Sequence, residues 1–332
     1  MIKLELEGSY YEIGLTIGEK CRNLVSSYYS GEYSKDKINF AYECQRLVEE
    51  HCPELLEELQ GIADGGGFNY ENLISSELSV GLKPNCTLFA VSSKCTKNGF
   101  PLFARSMDWF QDALKFAAIF VTKPARKLTS LGFSETFLGR LGGVNEVGLA
   151  IGEASTCWEN LQPGIINGIA IRWILDTCRT VHDAVSFLQK IPYIMGNNYL
   201  VADKENNFAV VEANPAKTIA TMERKDFLAA TNHYLSPEFD KITPTKPKHS
   251  TDRIDYLNSW FNNRTNPIDL EDLKTIQRTH DVEICPHVQE IYEGKLKDLT
   301  TCWAWIAPLG ENKVYLCEGS PCKNEYKEYS IS

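Results

Sequence analysis

Two short stretches of the chain hold the residue types from which covalent catalysis could be built. Asn85-Cys86-Thr87-Leu88-Phe89-Ala90-Val91 begins at a thiol and continues as an apolar run. Phe103-Ala104-Arg105-Ser106-Met107-Asp108-Trp109 carries a guanidinium and a carboxylate. A free thiol ionises near ~8.5, so a thiolate nucleophile needs a base or a positive neighbour to form at neutral pH. Arg105 could supply the charge and Asp108 an acceptor. Taken alone, Cys86 would read as one more buried cysteine and Arg105–Asp108 as an ordinary ion pair.

For these side chains to meet, the two stretches must pair. The first reads as a buried strand, Lys97-Asn98-Gly99 as a turn signal, and the second as the returning strand of a hairpin. In that hairpin Arg105 and Asp108 come back beside Cys86, so a thiol, a guanidinium and a carboxylate share one strand end.

The rest of the chain must hold that hairpin. With 332 residues it can bury a large core, and 43% hydrophobic with 23% charged residues is an ordinary globular balance. A net charge of −10 with no basic cluster argues against nucleic acid or an anionic membrane as partner. The apolar runs, such as Phe116 to Val121, are too short to span a bilayer. Eleven cysteines at irregular spacing, with no Cys-x-x-Cys pair, and an N-terminus of alternating charges lead to an expectation of free thiols in a reducing cytoplasm.

Residues 1 to 85 read as an edge strand over 1–7 followed by helices over Tyr10–Tyr29, Lys35–His51 and a segment opened by Pro53 and stopped by Gly65-Gly66-Gly67. A short segment, Tyr70 to Leu78, leads through Gly81 and Pro84 to Cys86. Beyond Cys86 the chain is rich in strands: 117–121, the turn and strand of 142–151, a hairpin over 199–212, 227–232, and a last hairpin around Gly310. Helical patterns interrupt them at 168–178, after the capping signal Thr180-Val181-His182-Asp183, and at 252–262 and 270–278. Helices and antiparallel hairpins in this order predict an α+β fold of two packed sheets with helices outside.

With Cys86, Arg105, Asp108, Asn232 and Arg253 in view, the chain resembles the cysteine N-terminal-nucleophile (Ntn) hydrolases of the isopenicillin-N acyltransferase-like family. More distantly it resembles choloylglycine (bile-salt) hydrolase, penicillin V acylase and acid ceramidase. Cys86-Thr87 followed by Ala104-Arg105-Ser106-Met107-Asp108 resembles the nucleophile strand and its returning Arg-x-x-Asp. Asn145-Glu146-Val147-Gly148-Leu149-Ala150, Thr231-Asn232-His233 and Ser250-Thr251-Asp252-Arg253 resemble three further family motifs. Leu59 to Gly65, Ile284-Cys285-Pro286-His287 and Glu318-Gly319-Ser320-Pro321-Cys322 favour the acyltransferase-like branch.

The resemblance implies a four-layer α-β-β-α sandwich with antiparallel sheets, made as a zymogen that cuts its own Asn85–Cys86 bond. Residues 1–85 would form a small helical fragment and 86–332 the large one, the two staying associated, with a homo-oligomer compatible with this. It implies Cys86 as nucleophile with its own α-amine as base, Asp108 holding the amine, Arg105 favouring thiolate, Asn232 as oxyanion donor and Arg253 keeping the others in register. The substrate would be a small acyl amide or acyl thioester, with no cofactor. Where bile-salt hydrolases carry a second asparagine this chain has a position near Ser155, and the second donor rests between Ser155 and Asn145; Asn85 is bulkier than the glycine expected before the scissile bond. Aromatic residues such as Trp158, Trp173, Phe110 and Tyr193 are candidates for an acyl pocket.

Three other readings stand beside it. Cys86 or another thiol could pair with His233 or His280 in an uncut cysteine–histidine hydrolase. The same fold could serve as a non-catalytic binding protein. His280, Cys285 and His287 are ligand types close in sequence, but their spacing fits no standard zinc pattern and no fourth ligand stands nearby; a packed loop without metal is expected there.

Overall fold

The computed structural model describes residues 1–29, 33–79, 85–156, 161–223, 226–243, 245–292 and 294–331. Gly81, Pro84 and Trp158 lie outside the described residues. The chain opens with β1 (Ile2–Gly8) and the helices α1 (Tyr10–Tyr29), α2 (Lys35–His51), α3 (Glu54–Gly66) and α4 (Tyr70–Glu77). Then follow β2 (Asn85–Val91), β3 (Leu102–Phe110), β4 (Ala118–Pro124), β5 (Ser130–Ser134), β6 (Gly142–Asn145) and β7 (Ala150–Ser155). Helices α5 (Asn167–Thr177) and α6 (Val181–Leu188) precede β8 (Asn197–Ala202), β9 (Phe208–Asn214), β10 (Lys217–Glu223) and β11 (Phe227–Ala230). The chain closes with α7 (Lys248–Asn262), α8 (Leu270–Gln277), β12 (His287–Tyr292), β13 (Lys295–Pro308), β14 (Lys313–Glu318) and β15 (Tyr326–Ser330).

The strands form two sheets. One has eight strands in the order β1-β4-β5-β6-β7-β8-β9-β10; the other has seven, β11-β2-β3-β13-β14-β15, with β12 also paired to β13. The expectation of purely antiparallel sheets needs one correction: β1 pairs β4 in parallel, Ile2 opposite Ala118 through Gly8 opposite Pro124. Four helices separate β1 from the strands it joins, so it reaches β4 by a long crossover instead of a hairpin.

Side-chain alternation sorts each strand between layers. On β2, Cys86, Leu88 and Ala90 enter the core between the sheets with Phe103 and Met107 of β3, Leu131, Ala150 and Trp305. Phe89 and Val91, with Leu102 and Ala104, face the other way against Leu257 of α7 and Leu273 of α8. The outer face of the eight-stranded sheet, with Leu4, Phe120 and Ile151, packs against α1 to α6. The result is the α-β-β-α sandwich expected. Helices α1 and α3 lie unusually close, because Gly14 and Gly61 oppose backbone: a Cβ would fall 2.0 Å from Glu58 O at Gly14 and 2.2 Å from Tyr11 O at Gly61.

The segment before Cys86 belongs to the same body. Across it and the rest of the chain runs a buried ion cluster in which Arg172 of α5 meets Glu58 of α3 at 2.8 Å and Asp176 at 2.9 Å. Tyr10 Oη of α1 donates to Asp176 at 2.9 Å. The capping signal at Thr180 forms as a full box with Asp183 and starts α6.

Candidate active site

The β2–β3 hairpin sets the geometry by register. Asn85 lies opposite Asp108, Cys86 opposite Met107 and Leu88 opposite Arg105. Cross-strand partners share a face, so Arg105 and Cys86 both point between the sheets. Arg105 Nη2 lies 3.2 Å from Cys86 Sγ. The guanidinium crosses to β7, where Nε donates to Glu153 O and Nη2 to Glu153 Oε1, both at 3.1 Å. Gly152 leaves room for that crossing, since a Cβ there would sit 2.8 Å from Arg105 Cδ. Glu153 also receives Ser155 Oγ at 3.3 Å.

The opposite face of the same strand end is served by α7 and by the segment after β11. Arg253 projects from α7, its Nε donating to His249 O. Its Nη1 donates to Cys86 O at 3.2 Å and Thr87 Oγ1 at 3.1 Å, and Nη2 to Asn232 Oδ1 at 3.0 Å. Arg253 Nη1 also stands 3.5 Å from Asp108 Oδ2. β11 runs antiparallel to β2 with Ala230 opposite Leu88, which brings Asn232 level with Cys86. Asn232 Oδ1 accepts the Cys86 N–H at 2.8 Å. Thr301 Oγ1 of β13 donates to Asp108 Oδ1 at 2.7 Å, whereas Asp108 Oδ2 has no hydrogen-bond partner among the described residues.

All five expected residues therefore converge, and all are buried. The two candidate second donors, Ser155 and Asn145, take different places, and the Asn232 amide is itself engaged. Asn232 is not presented as a spare donor: its Oδ1 has two donors and its Nδ2 donates to Ser155 O at 2.9 Å. Ser155 thus enters the site through its backbone oxygen. Asn145 braces its own turn, accepting Leu149 N–H and donating to Leu175 O and Cys178 O.

Burial pushes the Cys86 thiol up, with Arg105 and Arg253 opposing and Glu153 and Asp108 adding to the rise. Burial likewise pushes the Asp108 carboxyl up to about 7, against the pull of Arg253, Thr301 and Arg105. The site thus holds a thiol whose ionisation burial disfavours beside a guanidinium that favours it. His233, a candidate base, is held elsewhere: its Nδ1 lies 2.7 Å from Ser250 Oγ, and burial pushes the imidazole down to about 4.

Sequence reasoning missed Glu153, Thr301 and Asn198. Asn198 of β8 donates to Thr231 O at 2.9 Å and His233 O at 2.7 Å, clamping the backbone on both sides of Asn232. None stands in a local motif; each arrives by strand pairing. The ligand types His280, Cys285 and His287 do meet a fourth, Cys322, from the turn after β14.

The model of the family described as acyl-coenzyme A:6-aminopenicillanic acid acyl-transferase matches residues 95–323, well over half of the chain and beginning just after Cys86. No curated protein sequence matches significantly. Among solved structures, a variant of conjugated bile acid hydrolase from Clostridium perfringens is similar at 14% identity with a TM-score of 0.51, covering 74% of this chain and 97% of that one. Penicillin V acylase from Agrobacterium tumefaciens is similar at 18% identity with a TM-score of 0.49, covering 70% and 83%. The Caenorhabditis elegans ortholog of N-acylethanolamine-hydrolyzing acid amidase is similar at 14% identity with a TM-score of 0.48, covering 68% and 93%. At these identities the bile acid hydrolase likeness speaks to the fold alone.

Proposed function

This chain belongs to the acyl-coenzyme A:6-aminopenicillanic acid acyl-transferase family, and from that premise we propose that it is a self-processing acyltransferase or linear-amide hydrolase whose freed Cys86 carries acyl groups as a thioester. The observation that carries the reading is the convergence on one residue: Arg105 at Cys86 Sγ, Asn232 at its nitrogen and Arg253 at its carbonyl oxygen.

In processing, deprotonated Cys86 Sγ attacks the carbonyl carbon of Asn85. The C–N bond breaks, the nitrogen takes a proton, and an Asn85 thioester forms on sulfur. Water then cleaves the thioester, leaving an Asn85 carboxylate and a Cys86 with free thiol and free amine. The segment ending at Asn85 withdraws and opens the thiol, which is fully buried in the uncut strand. Residues 1–85 remain bound through β1 and the Arg172–Glu58 pair.

In turnover the α-amine, which titrates near ~8, takes the thiol proton. Being within the same residue, it needs almost no ordering to do so. Arg105 supports the thiolate, Asn232 Oδ1 keeps its hold on the nitrogen, and Asp108 Oδ2 is the acceptor available to the new ammonium. The thiolate attacks the substrate carbonyl, the leaving amine or thiol takes the proton, and the acyl group rests on Sγ. Water or an acceptor amine then takes it and the thiol is restored. A backbone N–H beside Cys86 would meet the oxyanion, and Asn232 Nδ2, turning from Ser155 O, is the expected second donor; one such donor is typically worth ~3–4 kcal/mol.

Small acyl amides or acyl thioesters are the substrate class. Eleven cysteines at irregular spacing support a reducing, cytoplasmic setting, and among the described residues no helix is long and apolar enough to cross a membrane. The test is trapping: rapid denaturation during turnover of an amide and thioester panel, followed by peptide mass analysis. An acyl adduct on the Cys86 peptide, lost in Cys86→Ala together with activity, is expected. Undiminished turnover by Cys86→Ala would refute the assignment.

A further inference from the structure

Apart from the proposed acyl site, four metal-ligand side chains stand together. His280, Cys285, His287 and Cys322 each offer one donor atom, and these atoms all lie within 4.8 Å of one another. They come from three places: the turn after α8, the first residue of β12 and the turn between β14 and β15. His287 Nε2 is 3.1 Å from Cys322 Sγ and 3.9 Å from Cys285 Sγ. Bonds of ~2.3 Å to sulfur and ~2.0–2.1 Å to nitrogen at the tetrahedral angle place neighbouring donors about 3.3–3.8 Å apart. Closing the cluster onto an ion needs a contraction of about 1.5 Å at most.

The tautomer of His280 is already set for ligation. Its Nδ1 lies 2.9 Å from the carbonyl oxygen of Cys285, and a carbonyl can only accept. The proton therefore sits on Nδ1 and the lone pair on Nε2, which is the orienting hydrogen bond that metal-bound histidines usually make. A disulfide between Cys285 and Cys322 would use both sulfurs and leave the two imidazoles without a role.

We propose that His280, Cys285, His287 and Cys322 form a closed Cys2His2 site for one zinc-type divalent cation. Two thiolates and two imidazoles suit zinc or cobalt and not calcium or magnesium. Four protein ligands leave no open position, so the ion is structural. Binding releases the two thiol protons and cross-links segments that are far apart in sequence.

The test uses the full chain, purified under reductant without chelator or histidine tag, and titrated with cobalt(II). About one equivalent should bind, with thiolate-to-cobalt charge transfer and tetrahedral visible bands that zinc abolishes. Zinc should raise the unfolding temperature, and a chelator should lower it. Cys322→Ser, at the protein surface, should weaken cobalt binding at least about tenfold and cut the charge-transfer intensity. Cys95→Ser should leave both unchanged. The native chain needs no variant to fail the test: no stoichiometric uptake by the reduced protein would overturn the proposal. So would a Cys285–Cys322 disulfide in active, metal-free protein, or cobalt spectra indifferent to Cys322→Ser.

Discussion

Replacing Arg105 with glutamine removes the cation that stands 3.2 Å from Cys86 Sγ. At an effective dielectric constant of about 20, two unit charges at that distance interact by about 5 kcal/mol, or nearly 4 pH units. Glu153 Oε1, at 3.1 Å from the same nitrogen, offsets part of this. The pH at which the Cys86 thiol ionises should therefore rise by about 1 to 3 units, the usual effect of losing one close opposite charge. The assay is alkylation with iodoacetamide between about pH 6 and 10, read on the Cys86 peptide by mass spectrometry so that the other thiols do not interfere. Near neutral pH the rate should fall at least about tenfold. The single variant also strands Glu153 in the core, at a cost of ~3–5 kcal/mol, so the double variant Arg105→Gln/Glu153→Gln is the control. It removes an aid and an opponent of the thiolate together, and its ionisation should lie between the native protein and the single variant. A folded Arg105→Gln protein whose Cys86 reacts at the native rate would show that the guanidinium does not support the thiolate.

Three other outcomes follow from the same geometry. Arg253→Lys keeps a charge near Asp108 but loses the fork that reaches Cys86 O, Thr87 Oγ1 and Asn232 Oδ1; cleavage and kcat/KM should fall by at least about 100-fold, and a change under about threefold would contradict its role. Burial pushes the Glu135 carboxyl from its ordinary 4.5 up to about 8, so the folded chain holds a proton there that the unfolded chain loses. The stability this group contributes is full below about pH 4.5 and declines by about 4–5 kcal/mol as the pH rises to 8; Glu135→Gln should remove that slope from urea unfolding, and an unaltered slope would refute it. Arg172→Met leaves Glu58 and Asp176 buried without their cation, and should cost ~3–5 kcal/mol in thermal unfolding while weakening co-elution of residues 1–85 with the remainder; an unchanged unfolding temperature would contradict the pair's role.

What could be read in advance was local. The thiol, guanidinium and carboxylate lie on one hairpin whose turn is marked by Asn98-Gly99, and Gly99 does take a left-handed φ of 73°. Short-range pairing alone then places Arg105 beside Cys86. Helices α1, α2, α5 and α6 were visible because their apolar faces or capping residues repeat at helical spacing. Strand β5 was not, since Ser130-Leu131-Gly132-Phe133-Ser134 alternates over only five residues, two of them serine and one glycine, too short and weak a signal to read. The first half of β13 was hidden for another reason: Lys295 to Asp298 are mostly polar and exposed. Partners that come from distant strands left no sequence mark, and Glu153, Asn198 and Thr301 belong to that class. The same holds for Cys322, 35 positions from His287, whose place beside it depends on the turn that follows β14. Asn145 is the converse case, a motif residue open to both a turn and a donor reading, whose amide completes a turn below α5.

The most direct measurement is the intact mass and N-terminal sequence of protein shown to be active in the same preparation. Two chains are predicted, the larger one beginning at Cys86, with Cys86→Ala remaining a single inactive chain. Activity in a preparation whose Asn85–Cys86 bond is whole would contradict the proposed use of the Cys86 amine as the base.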